Sequence, residues 1–301
     1  MKNKILIIGS SGYLGTNLIK RLNVKKKIIC FDKKKSRISP SDKKKIFKIY
    51  KADLNNKKKL NEALKVTKII FYRAGILGGP NSNKISKSRI YFKENIEKLI
   101  KFLVIAKKHK IEKFIYDSSF QIFDKNNNFN NEIQPFNYYG LSKITSEKIL
   151  KNWCKENNVN LFIFRYPRIV CENSKNFLTK MVSDAKNYSK INLKKSFQKF
   201  RLVHIDDVLK ANIEAIKSKS EGINVFNISI KKEYSLNDIS KIIKLRFKSK
   251  IQIKKNKDIS ENFEPTEMNL NKNFFSLSKK FIPKIDLLRI ISRQIEKKNE
   301  Y

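Results

Sequence analysis

Gly9-Ser10-Ser11-Gly12-Tyr13-Leu14-Gly15 is the stretch that decides the fold. It stands between Lys4–Ile8, an apolar run typical of a buried parallel strand, and a segment whose leucines and isoleucine recur at helical spacing. In a strand–loop–helix unit of this kind, the first glycine makes a tight turn. The second lets the backbone approach a pyrophosphate, and the third allows close packing of helix on strand. Because the first N–H groups of the helix attract anions, the stretch predicts a dinucleotide-binding turn.

Five further apolar runs continue the alternation of strand and helix. They predict strands over Lys27–Phe31, Ile46–Tyr50, Lys68–Tyr72, Lys113–Tyr116 and Asn160–Arg165. Helices are predicted from near Lys57, from about Arg89 to Lys108, and from about Tyr139 to Asn157. Alternation of this length predicts an α/β fold with a doubly wound parallel sheet of the Rossmann type.

The pattern weakens after Pro167, and this divides the chain into two expected regions. Residues 1–166 are expected to form a dinucleotide-binding Rossmann domain, and residues 167–301 a smaller C-terminal α/β region. Segments near 202–230 are expected to return and pack on the first domain. Stretches rich in Lys, Asn and Ser near 184–200 and 254–273 predict loops.

The 301 residues are 40% hydrophobic, which excludes a disordered basic tail and allows a substantial core. Three cysteines without paired or CxxC spacing argue against a disulfide scaffold and a zinc site, and fit a reducing cytoplasm. No apolar run approaches the roughly 20 residues of a membrane span, and the run after Lys4 is too short for a secretory signal. The sequence therefore predicts a cytoplasmic protein with no metal and no membrane partner.

The excess of basic residues is the most unusual feature of the composition. Lys and Arg number 68 against 27 Asp and Glu, a formal net charge of +41. Lysines are scattered along the entire chain together with abundant Asn and Ile, which also have A/T-rich codons, so a biased genome would explain the enrichment. Steering of anionic small molecules and binding of nucleic acid remain alternatives. We expect no specific nucleic-acid partner.

Asp32 ends the second predicted strand, where an acid in this fold hydrogen-bonds the adenosine ribose. A carboxylate there would also repel a 2′-phosphate, so the sequence predicts NAD rather than NADP. The basic residues that follow, Lys33, Lys34, Lys35 and Arg37, leave NADP open as an alternative.

Tyr139 and Lys143 lie four residues apart on a predicted helix and therefore one turn apart on the same face. An ammonium near a phenol favours the phenolate, which can act as general acid–base on a sugar or alcohol hydroxyl. Such a pair also occurs on ordinary surface helices. It gains weight here from the dinucleotide fold before it and from Ser119 at the end of the preceding strand.

These motifs together resemble the extended short-chain dehydrogenases/reductases, most closely the NAD-dependent epimerase/dehydratase family that acts on nucleotide sugars. The resemblance covers nearly the whole chain. It rests on GSSGYLG at 9–15, Asp32, Ala52-Asp53-Leu54, Phe114–Ser119, Tyr139-Gly140-Leu141-Ser142-Lys143, Arg165-Tyr166-Pro167, His204–Val208, Val225-Phe226-Asn227 and Phe281–Ile285.

The resemblance implies roles for individual residues. Tyr139 would be the catalytic acid–base, Lys143 its partner and a ligand of the nicotinamide ribose, and Ser119 the hydrogen-bond partner of the reacting hydroxyl. The remaining implied cofactor contacts are Gly9, Gly12, Tyr13, Leu14, Gly15, Asp32, Asp53, Leu54, Ala74, Gly75, Asn95 and Pro167. For Asn95, a solvated position on its helix is the alternative.

Departures from the family pattern concern mainly the substrate. Where the family usually has His-Leu-Ala-Ala, this chain has Tyr72-Arg73-Ala74-Gly75. Where many epimerases have an asparagine after Arg-Tyr-Phe, this chain has Arg168, which is either a substrate contact or a surface residue. The arginine expected before His204 has no clean match, although Arg201 is close by and is taken as a candidate substrate contact. The Asp-Glu pair of 4,6-dehydratases reads Phe120-Gln121, so dehydration is not expected.

The resemblance therefore implies an NAD-dependent epimerase of a nucleotide-activated sugar, working through a transient keto sugar. By analogy it belongs to polysaccharide biosynthesis, and by resemblance it forms a homodimer. The alternatives are an NAD(P)H-dependent keto-sugar reductase of the same fold and a non-catalytic NAD-sensing or polyanion-binding protein.

Overall fold

The computed structural model describes residues 3–34, 38–79, 81–123, 133–171, 177–188, 190–194, 199–230, 232–247, 252–256 and 287–296. The expected Phe281–Ile285 motif and the basic residues Lys35 and Arg37 lie outside these ranges.

The described residues form twelve strands. In chain order they are β1 Lys4–Ile8, β2 Ile28–Asp32, β3 Ile46–Lys51, β4 Thr67–Tyr72, β5 Lys113–Ser119, β6 Asn160–Tyr166, β7 Arg168–Val170, β8 Lys190–Lys194, β9 Lys199–His204, β10 Ile223–Asn227, β11 Glu233–Ser235 and β12 Gln252–Asn256. Each predicted strand of the first half is present, with ends that differ by up to three residues.

The described α-helices are nine. They are α1 Tyr13–Arg21, α2 Lys57–Leu64, α3 Ile85–Tyr91, α4 Lys98–Ala106, α5 Tyr138–Glu156, α6 Phe177–Tyr188, α7 Ile205–Lys217, α8 Leu236–Arg246 and α9 Leu287–Glu296. A π-helical segment, Phe92–Glu97, joins α3 to α4, so the helix predicted over 89–108 begins earlier, at Ile85. Among the described helices, none is both long and apolar enough to cross a membrane.

Seven parallel strands form the main sheet, in the order β10-β6-β5-β4-β1-β2-β3. Its two faces bury separate apolar cores: α2, α4 and α5 cover one face, and α1 and α7 cover the other. The predicted doubly wound α/β fold is therefore confirmed. Strand order reverses between β1 and β4, and ligands of this fold bind in the crevice at such a switch point.

The segment from β9 to β10 connects the two parts of the chain. After β9, α7 packs beside α1, and β10 pairs with β6 at the edge of the main sheet, from Ile223 opposite Leu161 to Asn227 opposite Arg165. The chain therefore returns to the first sheet after it has built part of the second region.

The C-terminal region has a three-stranded sheet, β11-β9-β7, a parallel pair, β12-β8, and a core of its own with α6, α8 and α9. The loops predicted near 184–200 and 254–273 are wrong where these residues are described. Residues 184–188 end α6, 190–194 form β8, 199–200 begin β9, and 254–256 lie in β12. The reason is physical: α6 buries an apolar face that includes Met181 and Val182, whereas β8 and β12 pair with each other although their residues are 62 positions apart, as Lys190 and Gln252 are.

Candidate active site

A pocket of about 270 Å³ opens at the switch point between β1 and β4. It is bounded by the glycine turn after β1, the ends of β2 and β4, the Ala52–Leu54 segment and the π-helical segment before α4. Seven of the predicted cofactor contacts line this pocket: Gly9, Gly12, Asp32, Asp53, Leu54, Ala74 and Gly75. The other predicted contacts are not among its lining residues: Tyr13, Leu14, Gly15, Asn95, Tyr139, Lys143 and Pro167.

The glycine turn is fixed by close backbone contacts. Gly9 has φ +79°, and a Cβ there would lie 2.7 Å from the carbonyl oxygen of Arg73. A Cβ at Gly15 would lie 2.4 Å from the Gly9 carbonyl oxygen, so only glycine lets α1 sit this close to β1. No side chain caps α1 at Gly12, which lines the pocket, so the positive end of the helix dipole lies at the pocket, where it favours an anion.

Tyr13 and Leu14 begin this helix, but their side chains turn away from the pocket. The Tyr13 hydroxyl contacts the Cys171 thiol, and Leu14 packs against the core beneath α1. A contact of either residue with a pyrophosphate would therefore use the main-chain N–H.

Asp32 lies in the pocket wall at the end of β2. Its two carboxylate oxygens accept hydrogen bonds from the Ser11 N–H at 3.0 Å and the Lys34 N–H at 2.8 Å. Each carboxylate oxygen has more than one lone pair, so the group can still accept a ribose hydroxyl. Lys33 and Lys34 also line the pocket.

Asp53 is paired with a lysine that the sequence analysis missed. Lys98 Nζ lies 3.3 Å from Asp53 Oδ2 and 2.8 Å from Glu94 Oε2, and all three residues line the pocket together with Leu54. The hydrogen bond from the Asn55 N–H, together with Lys98, lowers the pKa of Asp53. Burial alone would lower the pKa of Lys98, but its bonds to Glu94 and Asp53 raise it. The Glu94–Lys98 spacing of four on one helix was the available signal.

Asn95 is buried, and it holds the loop after β4 in place. Its Oδ1 accepts from the Ile76 N–H at 2.8 Å, and its Nδ2 donates to the Ile76 carbonyl at 3.3 Å and to Ser142 Oγ at 2.9 Å. Gly75 has φ +142°, and a Cβ there would lie 2.6 Å from Asn95 Oδ1. Asn95 thus ties the pocket-lining residues Ala74 and Gly75 to helix α5.

Ser119 ends β5, and Tyr139 and Lys143 lie in the first two turns of α5. Lys143 Nζ donates to the Asp117 carbonyl at 2.5 Å and lies 4.2 Å from the centre of the Tyr116 ring. Tyr139 is 7% exposed, and Ser119 Oγ accepts from the Gln121 N–H at 3.2 Å. The helix start is pressed against this turn, since a Cβ at Gly140 would lie 1.9 Å from the Gln121 carbonyl oxygen.

A buried ion pair lies behind these residues. Glu147 is fully buried and receives two hydrogen bonds from Arg165, at 3.0 Å and 2.6 Å, and one from Ser118 Oγ at 2.5 Å. Since Ser118 precedes Ser119 and Glu147 lies one turn after Lys143, the pair links strands β5 and β6 to the helix that bears Tyr139. The sequence analysis missed Glu147.

The model of the NAD dependent epimerase/dehydratase family matches residues 5–229 of this chain. The chain belongs to that family. The resemblance inferred from the motifs is therefore confirmed, and the description of the family names the cofactor.

Two curated relatives are each 27% identical to this chain. One is the N-acetyl-alpha-D-glucosaminyl-diphospho-ditrans,octacis-undecaprenol 4-epimerase of Escherichia coli O157:H7, aligned over 156 residues, 51% of this chain and 44% of the relative. The other is the putative UDP-glucose 4-epimerase of Methanocaldococcus jannaschii, aligned over 264 residues, 80% of this chain and 81% of the relative. The chain thus spans less than half of the first relative.

Solved structures share the fold. The UDP-glucuronic acid 4-epimerase of Bacillus cereus in complex with UDP-glucuronic acid and NAD has a TM-score of 0.80 at 19% identity, covering 99% of this chain and 100% of that chain.

The pocket of this family member fits NAD on the evidence of its own residues. The uncapped start of α1 and the glycine turn suit a pyrophosphate, and Asp32 at the end of β2 suits a ribose that lacks a 2′-phosphate. The residues that line the pocket are therefore consistent with the cofactor that the family description names, NAD.

The candidate substrate residues lie away from the pocket wall described above, in the small sheet. Arg168 begins β7 directly after Pro167, and its guanidinium lies 5.6 Å and 5.5 Å from the ring centres of Phe177 and Phe200. Arg201 is buried in β9, where it donates to the Ile230 carbonyl at 3.2 Å and lies 3.2 Å from Glu233 Oε1.

Proposed function

We propose that this chain is an NAD-dependent epimerase of a nucleotide-activated sugar that works through a transient keto sugar. The observation on which the proposal depends is the complete Ser119, Tyr139 and Lys143 set at the C-terminal edge of the sheet, with Lys143 anchored on the Asp117 carbonyl. The curated relatives, which are named as 4-epimerases, support the same reaction.

In this proposal residues 1–166 hold the cofactor and residues 167–301 hold the sugar. The phenolate of Tyr139, stabilised by the Lys143 ammonium, takes the proton of one sugar hydroxyl and later returns it, while Ser119 orients that hydroxyl. When bound, NAD supplies the hydride acceptor and donor. The cofactor would be held by the glycine turn 9–15, Asp32, Asp53, Leu54, Ala74 and Gly75. Asn95 would fix the loop that contains Ala74 and Gly75. Pro167 would lie at the nicotinamide end of the cofactor.

The chemistry at the sugar also limits the alternatives. A keto-sugar reductase would use the same three residues but exchange its cofactor after each turnover, whereas an epimerase restores it in place. A non-catalytic, NAD-sensing protein could use Lys143 to hold the cofactor, but it would have no need for Tyr139 and Ser119 as groups that act on a sugar hydroxyl. Phe120 and Gln121, where dehydratases have Asp-Glu, supply no acid–base group for elimination.

The comparisons do not identify the group that carries the sugar. Both candidate carriers, a nucleotide and the polyprenol of the Escherichia coli relative, present the sugar on a diphosphate. Arg168 is our proposed contact for that diphosphate. Arg201, which pairs with Glu233, would act by holding β9 against β11.

The first experiment identifies the nucleotide released when the purified protein is denatured, by mass spectrometry. Tyr139→Phe is then compared with the matched variant Tyr138→Phe on UDP-, GDP- and dTDP-sugars and on a polyprenyl-diphosphate sugar, with the epimeric product followed by proton NMR. We expect one NAD per chain and a loss of at least about 100-fold in Tyr139→Phe only, in line with general acid–base contributions. An empty site that binds NADPH would favour the reductase, and equal activity of the two variants would contradict the role of Tyr139.

Two further features accompany the proposal. A homodimer through α4 and α5 is supported by apolar side chains that these helices expose, Val104 at 62%, Ile100 at 43% and Leu141 at 37%, and sedimentation equilibrium tests it. A cytoplasmic location, where such enzymes supply polysaccharide synthesis, is supported by three cysteines that are buried as thiols rather than joined in disulfides: Cys30, Cys154 and Cys171.

A further inference from the structure

Arg73 and Asp117 form an ion pair at the C-terminal edge of the main sheet. Tyr72 pairs with Tyr116 in the register of β4 and β5, so the next two residues, Arg73 and Asp117, are neighbours across the strands. Arg73 Nε lies 3.1 Å from Asp117 Oδ2, and the side chains are only 4% and 12% exposed. Arg73 stands where the family usually has an apolar residue.

Uncharged polar side chains contact the pair, and the ammonium of Lys143 reaches only the main-chain carbonyl of Asp117. Arg73 Nη2 donates to Asn212 Oδ1 at 2.7 Å, and Asn212 Nδ2 donates to the Tyr166 hydroxyl at 2.8 Å. Burial raises the pKa of Tyr166 well above its ordinary value, so this phenol stays neutral. Within this cluster the guanidinium and the carboxylate therefore balance each other. Since a lone buried charge is strongly unfavourable, each depends on the other.

The two residues of the pair are neighbours, in sequence or through a hydrogen bond, of groups in the proposed cofactor site. Arg73 itself lines the pocket and precedes Ala74 and Gly75, and its main chain abuts Gly9. The main-chain carbonyl of Asp117 accepts the hydrogen bond of Lys143. A charge at this place therefore lies next to the residue proposed to hold the nicotinamide ribose.

We propose that the Arg73–Asp117 pair is a positioning element that sets the charge at the nicotinamide end of the pocket, and thereby the relative affinity for oxidised and reduced cofactor. The inference rests on the proposed function. The nicotinamide ring is cationic when oxidised and neutral when reduced, so a lone carboxylate beneath it favours the oxidised form and a lone guanidinium disfavours it. A balanced pair keeps the two forms close in affinity, as a cofactor recycled in place requires.

The test measures the ratio of the dissociation constants of NAD⁺ and NADH by direct competition on the full-length chain. A unit charge acting over roughly 10 Å at an effective dielectric of about 20 changes such a ratio by about tenfold. We expect Asp117→Asn to weaken NAD⁺ relative to NADH by about tenfold, and Arg73→Leu to change the ratio by about tenfold in the opposite direction. The double variant should return to within about twofold of the wild type.

Asp42→Asn is the matched control. It removes one charge from the Asp42–Lys45 pair, whose side chains are 8% and 13% exposed. This pair lies at the C-terminal end of α1, away from the pocket, so the ratio of the NAD⁺ and NADH dissociation constants should stay unchanged. Thermal unfolding of each variant separates this effect from stability, since both single variants should lose stability in the same direction.

Opposite shifts that cancel in the double variant support the inference. Shifts of the same sign, or no shift, refute it and leave the pair a structural one. If the protein binds neither cofactor, the proposed function itself fails, a distinct result. Should Arg73→Leu not fold, Arg73→Gln removes the same charge, and the sign of the shift in Asp117→Asn alone is enough to refute the inference.

Discussion

Gly78 and Gly79 are neighbours in sequence that differ sharply in the space around them. A Cβ at Gly78 would lie 2.6 Å from Tyr139 Cδ1 and 2.9 Å from Gln121 Oε1, whereas a Cβ at Gly79 would meet nothing within 4 Å among the described residues. Neither glycine has a positive φ, so alanine is compatible with both backbones. Because ordinary contact begins at 3.4 Å, alanine at 78 must move the Tyr139 ring or the loop by about 0.8 Å.

That displacement sets the size of the expected effect. A misplacement of about 1 Å in a positioned catalytic group costs about 100-fold in rate. We therefore expect kcat/KM of Gly78→Ala to fall by about 100-fold, and that of Gly79→Ala to stay within about twofold of the wild type. The assay is epimerisation followed by NMR, with bound cofactor counted by mass spectrometry in the same samples.

Comparing Gly78→Ala with Gly79→Ala separates the effect of displacing Tyr139 from the effect of alanine on the entropy of the unfolded chain. Replacing glycine by alanine at a compatible backbone restricts the unfolded chain by about 0.4–1 kcal/mol, and this stabilisation applies to both variants. Equal activity of Gly78→Ala and Gly79→Ala, with cofactor retained, would mean that the loop after β4 does not position Tyr139.

Two further predictions concern charged residues. Asp32→Ala should weaken NAD by about tenfold and reduce the preference over NADP, because a charge-assisted hydrogen bond to the ribose is lost while Lys33 and Lys34 still line the pocket. Competition binding of NAD and NADP measures this preference, and Asp32→Asn, which keeps a hydrogen-bond acceptor, is the control. An unchanged preference for NAD in Asp32→Ala would contradict the prediction. Glu147→Leu should lower the free energy of unfolding by about 3–5 kcal/mol, since it leaves Arg165 charged and buried without its acceptor. Urea denaturation measures this, and a loss below about 1 kcal/mol would contradict it.

Most of the first half of the fold could be predicted from local sequence. Strand β1 was predicted with its bounds, because a fully buried parallel strand is a continuous apolar run with a glycine turn after it. The second half was harder: the end of α6, residues 184–188, was predicted as loop because polar residues such as Lys186 and Asn187 dominate it locally, although the helix as a whole buries Leu178, Met181, Val182 and Ala185. The pairing of β8 with β12 is a contact between distant segments, which local composition does not encode.

The site divides in the same way. Tyr139, Lys143 and Asp32 stand in motifs whose spacing is local, and the structure places each of them at the C-terminal edge of the sheet. The groups that hold them are different, because they depend on strand register. Arg73 meets Asp117 only because β4 and β5 are aligned at Tyr72 and Tyr116, a relation that neither segment reveals alone.

Several acidic residues of the described part of the chain lie where a basic residue would otherwise be buried alone. Such pairs among the described residues include Arg73 with Asp117, Arg165 with Glu147, Arg201 with Glu233 and Lys45 with Asp42, and Lys98 has both Asp53 and Glu94. Because an unpaired internal charge costs several kcal/mol, such pairs are retained however basic the composition becomes. The surplus of 41 positive charges must then lie mainly at the surface, where salt screens it over about 8–10 Å. Added salt should therefore slow the capture of an anionic sugar substrate, while the internal pairs that orient Lys143 remain intact.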